Sequence, residues 1–160
     1  MLPIRAVLLA DPEADALVIV ENNIAGGSFD PTITTGVSTT IAWQCSNGYR
    51  TTTDGTSHAL TYTVPEAGTR RWTVRCAAGL GAITGIDING DAAKCVIGVQ
   101  KTKCFSFAAP NNADLVFSLR DLPRTVTSIS FLGSLLLTGQ LSDVPATCDT
   151  MYIRNSPLVT

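Results

Sequence analysis

Leu119-Arg120-Asp121-Leu122-Pro123-Arg124-Thr125 returns as Leu141-Ser142-Asp143-Val144-Pro145-Ala146-Thr147. Ile129 and Phe131 return as Met151 and Ile153, and Leu136-Leu137-Thr138 returns as Leu158-Val159-Thr160. All these pairs share one offset of about 22 residues, the length of a unit that cannot bury its apolar face alone. The apolar I-x-I signal runs backwards through Phe105-x-Phe107 to Ile86-x-Ile88, and Leu80 and Ile83 extend the spacing. The pattern predicts a solenoid of about four turns over residues 78–160, each turn with one short strand and a return loop.

Upstream the punctuation changes. Ala16 to Glu21, Phe29 to Thr35, Ser38 to Gln44, His58 to Val64 and Arg71 to Cys76 read as short strands. Gly26-Gly27, Gly36, Asn47-Gly48, Asp54-Gly55 and Pro65 to Gly68 part them as turns, because Gly, Asn and Asp tolerate positive φ and Pro pre-sets a turn. Strands at such intervals predict a small β-sandwich over residues 1–77. Composition agrees with a mainly β chain: about twenty threonines stand mostly before residue 75, and Thr fits a half-buried pleated surface. Apolar residues are 45% and charged residues 15% of the chain, which excludes a disordered sequence.

Two resemblances follow. His58-Ala59-Leu60-Thr61-Tyr62-Thr63-Val64, with Pro65-Glu66-Ala67-Gly68-Thr69 and the Arg70 to Val74 strand, resembles the closing hairpin of PKD-like immunoglobulin-type domains. Trp43-Gln44-Cys45-Ser46-Asn47-Gly48 stands where that family carries W-x-F/W-G-D-G; Trp43 and Gly48 fit, and Cys45, Ser46 and Asn47 depart. This resemblance implies a spacer or display domain without a catalytic centre. Leu137-Thr138-Gly139-Gln140-Leu141-x-x-Val144-Pro145 resembles the L-x-G-x-I-P segment of leucine-rich repeats. It implies that Gly139 makes a tight turn and Pro145 fixes the return.

Chemistry-bearing patterns are sparse. A net charge of −2 with three lysines argues against nucleic-acid binding. His58 is the single histidine, and it reads as structural. Five cysteines without a CxxC pair read as small buried hydrophobes, with a Cys45–Cys76 disulfide as the alternative. Asp87-Ile88-Asn89-Gly90-Asp91 offers clustered oxygens, but its Gly comes too early for an EF-hand and no Glu closes it. No catalytic residue, metal ligand or cofactor is therefore assigned. Arg70, Arg71 and Arg75 with Trp72 form a basic-aromatic group; alternation puts Arg71, Thr73 and Arg75 on one face, opposite Trp72 and Val74.

The expected binding surface is the outward face of the repeat strands, carrying Asp87, Ser106, Ser130, Tyr152 and Arg154. Residues Met1 to Ala10 are followed at once by Asp11, Glu13 and Asp15, unlike a signal peptide, and no run reaches a membrane span. A PKD-like spacer joined to degenerate repeats resembles modular surface proteins of phage virions and bacteria. The expectation is a non-enzymatic structural and binding protein at the virion surface: a capsid decoration, head-fibre or tail-fibre protein. Its expected partners are other virion proteins or sister chains in a homo-oligomer, with a host-surface glycan or protein as a further partner. The alternative is an adhesion domain of a bacterial cell-surface protein.

Overall fold

The computed structural model describes residues 15–88, 93–109, 115–132 and 136–154. The chain is mainly β, and its main sheet curls into a half-barrel.

Six strands come from the first part: β1 (Leu17–Asn23), β2 (Ser28–Phe29), β3 (Thr32–Cys45), β4 (Arg50–Ala59), β5 (Tyr62–Thr63) and β6 (Gly68–Cys76). β1, β6, β3 and β4 lie side by side and antiparallel. Alternation sorts their side chains: Ile41, Trp43 and Cys45 of β3 oppose Cys76, Val74 and Trp72 of β6, all buried on the concave face. The second layer over this sheet is small. Among the described residues β2 pairs only with β5, and together they set Phe29 and Tyr62 against Trp72, with ring centroids 5.2 and 4.9 Å away.

Turn chemistry acts at Asn47-Gly48, where Gly48 N–H donates to Cys45 O at 3.0 Å and closes the β3–β4 hairpin. Asp54-Gly55, expected as a turn, lies instead inside β4. The β3–β4 register jumps there from Thr34↔Ser57 to Thr39↔Gly55, so residues 35–38 bulge out of the ladder. Gly36 sits in that bulge of one continuous strand rather than between two strands.

After residue 78 the chain winds. Three-residue 3-10 turns at Leu80–Ala82, Val99–Lys101, Leu119–Asp121 and Leu141–Asp143 each precede a strand: β7 (Ile83–Asp87), β9 (Ser106–Ala108), β11 (Ser128–Leu132) and β13 (Thr150–Arg154). These four form one parallel ladder. β8 (Ala93–Ile97), β10 (Val116–Ser118) and β12 (Leu136–Thr138) form another. The two ladders meet through Phe107, Phe117 and Phe131, whose rings lie 5.0, 5.3 and 5.7 Å apart in edge-on and tilted contacts.

The long ladder aligns Ile86, Phe107, Ile129 and Met151. The offset that equated Ile129 with Met151 and Phe131 with Ile153 is thus the pairing offset of β11 and β13. On β9 the inward pair is Phe107-x-Ala109, not Phe105-x-Phe107: Phe105 is 47% exposed, whereas Phe107 and Ala109 are fully buried. A second inward column holds Ile83, Cys104, Val126 and Cys148. Cys104 Sγ–H donates to Ser106 O at 2.8 Å, and Cys148 Sγ–H donates to Thr150 O at 3.4 Å. All five cysteines are free. The register places Cys45 opposite Trp72 and Cys76 opposite Ile41, about 13 Å along the strands, too far for a disulfide.

Both ladders start on the first part. β8 pairs β1, and β7 pairs the first half of β3, on the edge whose second half pairs β6. Strands from before residue 77 and after residue 78 thus share one sheet and one buried cluster. Gly98 allows the close approach at this seam: at φ 93° a Cβ there would stand 2.8 Å from Ala16 O.

Candidate binding faces

The parallel ladder sets the spacing of the candidate residues. Asp87, Ala108, Ser130 and Tyr152 share one register row across β7, β9, β11 and β13. Neighbouring strands stand about 4.8 Å apart, so Asp87 and Tyr152 lie about 14 Å apart along the row. Ser106 belongs to the adjacent row with Gly85, Ser128 and Thr150, and Arg154 stands opposite Leu132. The structure thus brings Asp87, Ser130 and Tyr152 into line and offsets Ser106, which follows from the two-residue shift on β9. Asp87, Ser106, Tyr152 and Arg154 are exposed, and Ser130 is half-buried.

The fourth turn differs from the others in cover. Leu80, Val99 and Leu119 open their turns buried, but Leu141, at the same place, is 55% exposed. Ile86, Phe107 and Ile129 are buried, but Met151 is 45% exposed. β12 and β13 are the two ends of the main sheet's strand order, and among the described residues each pairs on one edge only. A groove of about 390 Å³ runs along β13, lined by Leu132 and residues 151–154. Another, of about 620 Å³, lies between the return loops of the third and fourth turns, with Arg120 and Arg124 on one side and residues 142–147 on the other. Asp143 caps the last 3-10 turn there. It accepts Gln140 N–H at 2.7 Å and Arg120 Nε–H at 3.2 Å. The Gln140 N–H first, and the Arg120 guanidinium beside it, hold its carboxyl below the usual value against a smaller opposing burial effect.

The basic-aromatic group of β6 divides between two faces. Arg70 points inward with Trp72; its Nε–H donates to buried Glu21 Oε1 at 2.6 Å and its Nη1–H to Glu66 O at 2.6 Å. This ion pair gave no local sequence signal, because its partners are joined only by the β1–β6 register, Glu21↔Arg70. Arg71, Thr73 and Arg75 lie on the convex face, as alternation dictates. That face also holds a groove of about 530 Å³ lined by Ala42, Gln44, Arg50, Thr52 and Arg75. Arg50 escaped the sequence reading, since only the β3–β4 pairing carries it to the arginines of β6.

His58 is fully buried and structural in its bonding. Trp43 Nε1–H donates to Thr53 Oγ1 at 3.0 Å, which lies 3.2 Å from His58 Nδ1. His58 Nε2 lies 3.2 Å from Thr35 Oγ1, whose hydroxyl donates to Val37 O at 2.8 Å. His58 Nδ1 also lies 3.1 Å from the Thr53 carbonyl oxygen, so Thr35 and Thr53 hold the ring from both nitrogens. The chain ties the β3 bulge to β4.

Most of the Asp87-to-Asp91 stretch lies outside the described residues. Among the described residues no group of three or more His, Cys, Asp or Glu side chains could hold a metal, and no helix is long and apolar enough to cross a membrane. In comparisons with known proteins, no family model, no curated protein and no solved structure matches this chain.

Proposed function

We propose that this is a non-enzymatic structural and binding protein, a component of a phage virion surface such as a capsid decoration, head-fibre or tail-fibre protein, and that a sister chain covers its fourth turn. The observation that carries this reading is the uncovered turn itself. Leu141, Met151 and Tyr152 are 55%, 45% and 62% exposed beside two strand edges that are unpaired among the described residues. Covering each side chain is worth about 1–2 kcal/mol by apolar burial alone. Open edges of this kind are templates for another chain, and closed assemblies remove them. The finer architectural reading belongs with the proposal: a PKD-like first part, and turns whose 3-10 step before each ladder strand is similar to leucine-rich repeats.

Light scattering of the pure protein over a range of concentrations tests the reading. A stable dimer, trimer or ring is expected, and the double variant Leu141→Lys, Met151→Glu is expected to return it to monomer without loss of β signal. A native monomer at all concentrations overturns the assembly reading and shifts weight to an adhesion domain of a bacterial surface protein.

A further inference from the structure

We propose that the convex groove of the first part binds an acidic oligosaccharide, one carrying carboxylate or sulfate groups. This goes beyond the assembly reading and stands independently of it, since the groove lies on β3, β4 and β6, away from the fourth turn.

The register builds the groove. Arg75 of β6, Ala42 of β3 and Thr52 of β4 form one lateral row; Thr73, Gln44 and Arg50 form the next. Ala42 is exposed and brings only a methyl group between Arg75 and Thr52, so the sheet dips there. Arg50 and Arg75 stand diagonally across the dip, about 12 Å apart at Cα by strand geometry. Their side chains are long enough to converge over Ala42. A guanidinium carries five donors in a planar fork that matches a carboxylate or sulfate in pairs.

The remaining wall is neutral and hydrogen-bonding: the Gln44 amide and the Thr52 hydroxyl. Hydroxyl-rich ligands are recognised by such groups. A flat, open groove with amide and hydroxyl walls and a guanidinium at either corner suits a linear sugar chain with spaced anionic groups. Asp54, paired with Thr40 in the next row, bounds this field on one side, so the anions belong toward Arg50 and Arg75.

The test titrates the full chain with a heparin-derived hexasaccharide, with neutral maltohexaose and hexaglutamate as comparators, by calorimetry at low and raised salt. Heparin hexasaccharide is expected to bind and maltohexaose not. Arg50→Ala and Arg75→Ala are each expected to weaken binding about tenfold, and Ala42→Leu, which fills the dip without changing charge, by a similar factor. Lys103→Ala, which removes a positive charge outside the groove, is expected to leave it unchanged. Thermal melting of each variant checks that it folds. Three results would overturn the proposal: no binding of the hexasaccharide, equal losses in Lys103→Ala, or hexaglutamate binding as tightly. The oligomeric state, read separately by scattering, is indifferent to all three.

Discussion

The third and fourth turns carry one motif and spend it differently. Leu119, Leu122, Val126, Ile129 and Phe131 of the third turn are buried at 0 to 5% exposure. Their equivalents Leu141, Val144, Cys148, Met151 and Ile153 are exposed or half-buried. Sequence similarity between repeats therefore does not carry equal energetic weight. In a stacked array an apolar side chain is stabilised by the turns on either side, so its value depends on its neighbours as much as on itself.

The comparison is broken or sharpened most strongly by truncation. Phe131→Ala removes a ring that touches both Phe107 and Phe117 and is expected to cost about 3–5 kcal/mol. Ile153→Ala, at the equivalent site, is expected to cost less than about 1 kcal/mol in the monomer. Denaturant melts of the two variants read the difference; equal losses would mean that the fourth turn is as well covered as the third.

Backbone positions show the same contrast. Gly48 and Gly98 both have φ 93°, but only Gly98 has a neighbour, Ala16 O, within reach of a new Cβ. Gly48→Ala is expected to lose about 1 kcal/mol through strain alone, and Gly98→Ala about 3 kcal/mol as the β1–β8 seam is pushed apart. Equal thermal shifts would contradict this.

Thiol chemistry compares the second and fourth turns without a mutation. Burial pushes the Cys104 thiol up to about 12 against opposing backbone hydrogen bonds at Ser106 and Ile86, whereas half-buried Cys148 is raised chiefly by burial. Under native conditions an alkylating reagent is expected to label Cys148 ahead of Cys104, with Cys104 reacting only on unfolding; mass mapping of the labelled peptides decides. The smallest effect belongs to Asp143. Its carboxyl is held below the ordinary aspartate range, so its contribution is present above that range and is lost as pH falls through the folded value. Melting curves of the protein and of Asp143→Asn are expected to differ slightly above about pH 4 and to converge below it.

Much of this was legible. The 22-residue offset picked out residues that pair across β11 and β13, because a parallel ladder with equal turns preserves spacing. Alternation alone put Arg71, Thr73 and Arg75 opposite Trp72. Three things were not legible. Phe105 and Phe107 are both aromatic, so the I-x-I pattern fitted either register; burial chose Phe107-x-Ala109, and Ser106 left the row of Asp87 and Ser130. Asp54-Gly55 has turn chemistry, but Gly55 at φ 119° serves a bulge against residues 35–38. The groove between Arg50 and Arg75 was hidden because the two are neighbours only through β3, and no local pattern reports a pairing of that range.

The divided edge of β3 has a consequence for the order of folding. β1 and β3 offer the first pairing edge to each of the two ladders, so the winding part has a seed, and the seed is the part that leaves the ribosome first. Each later turn finds a finished edge on emerging and closes only a short loop, which keeps the entropy of each step small. A circular permutant of the full chain opened between residues 77 and 78 keeps the strand pairings of the described residues but must make its turns before their template exists. Slower refolding of that permutant than of the native chain, with the same final spectrum, is the signature of growth from a seed.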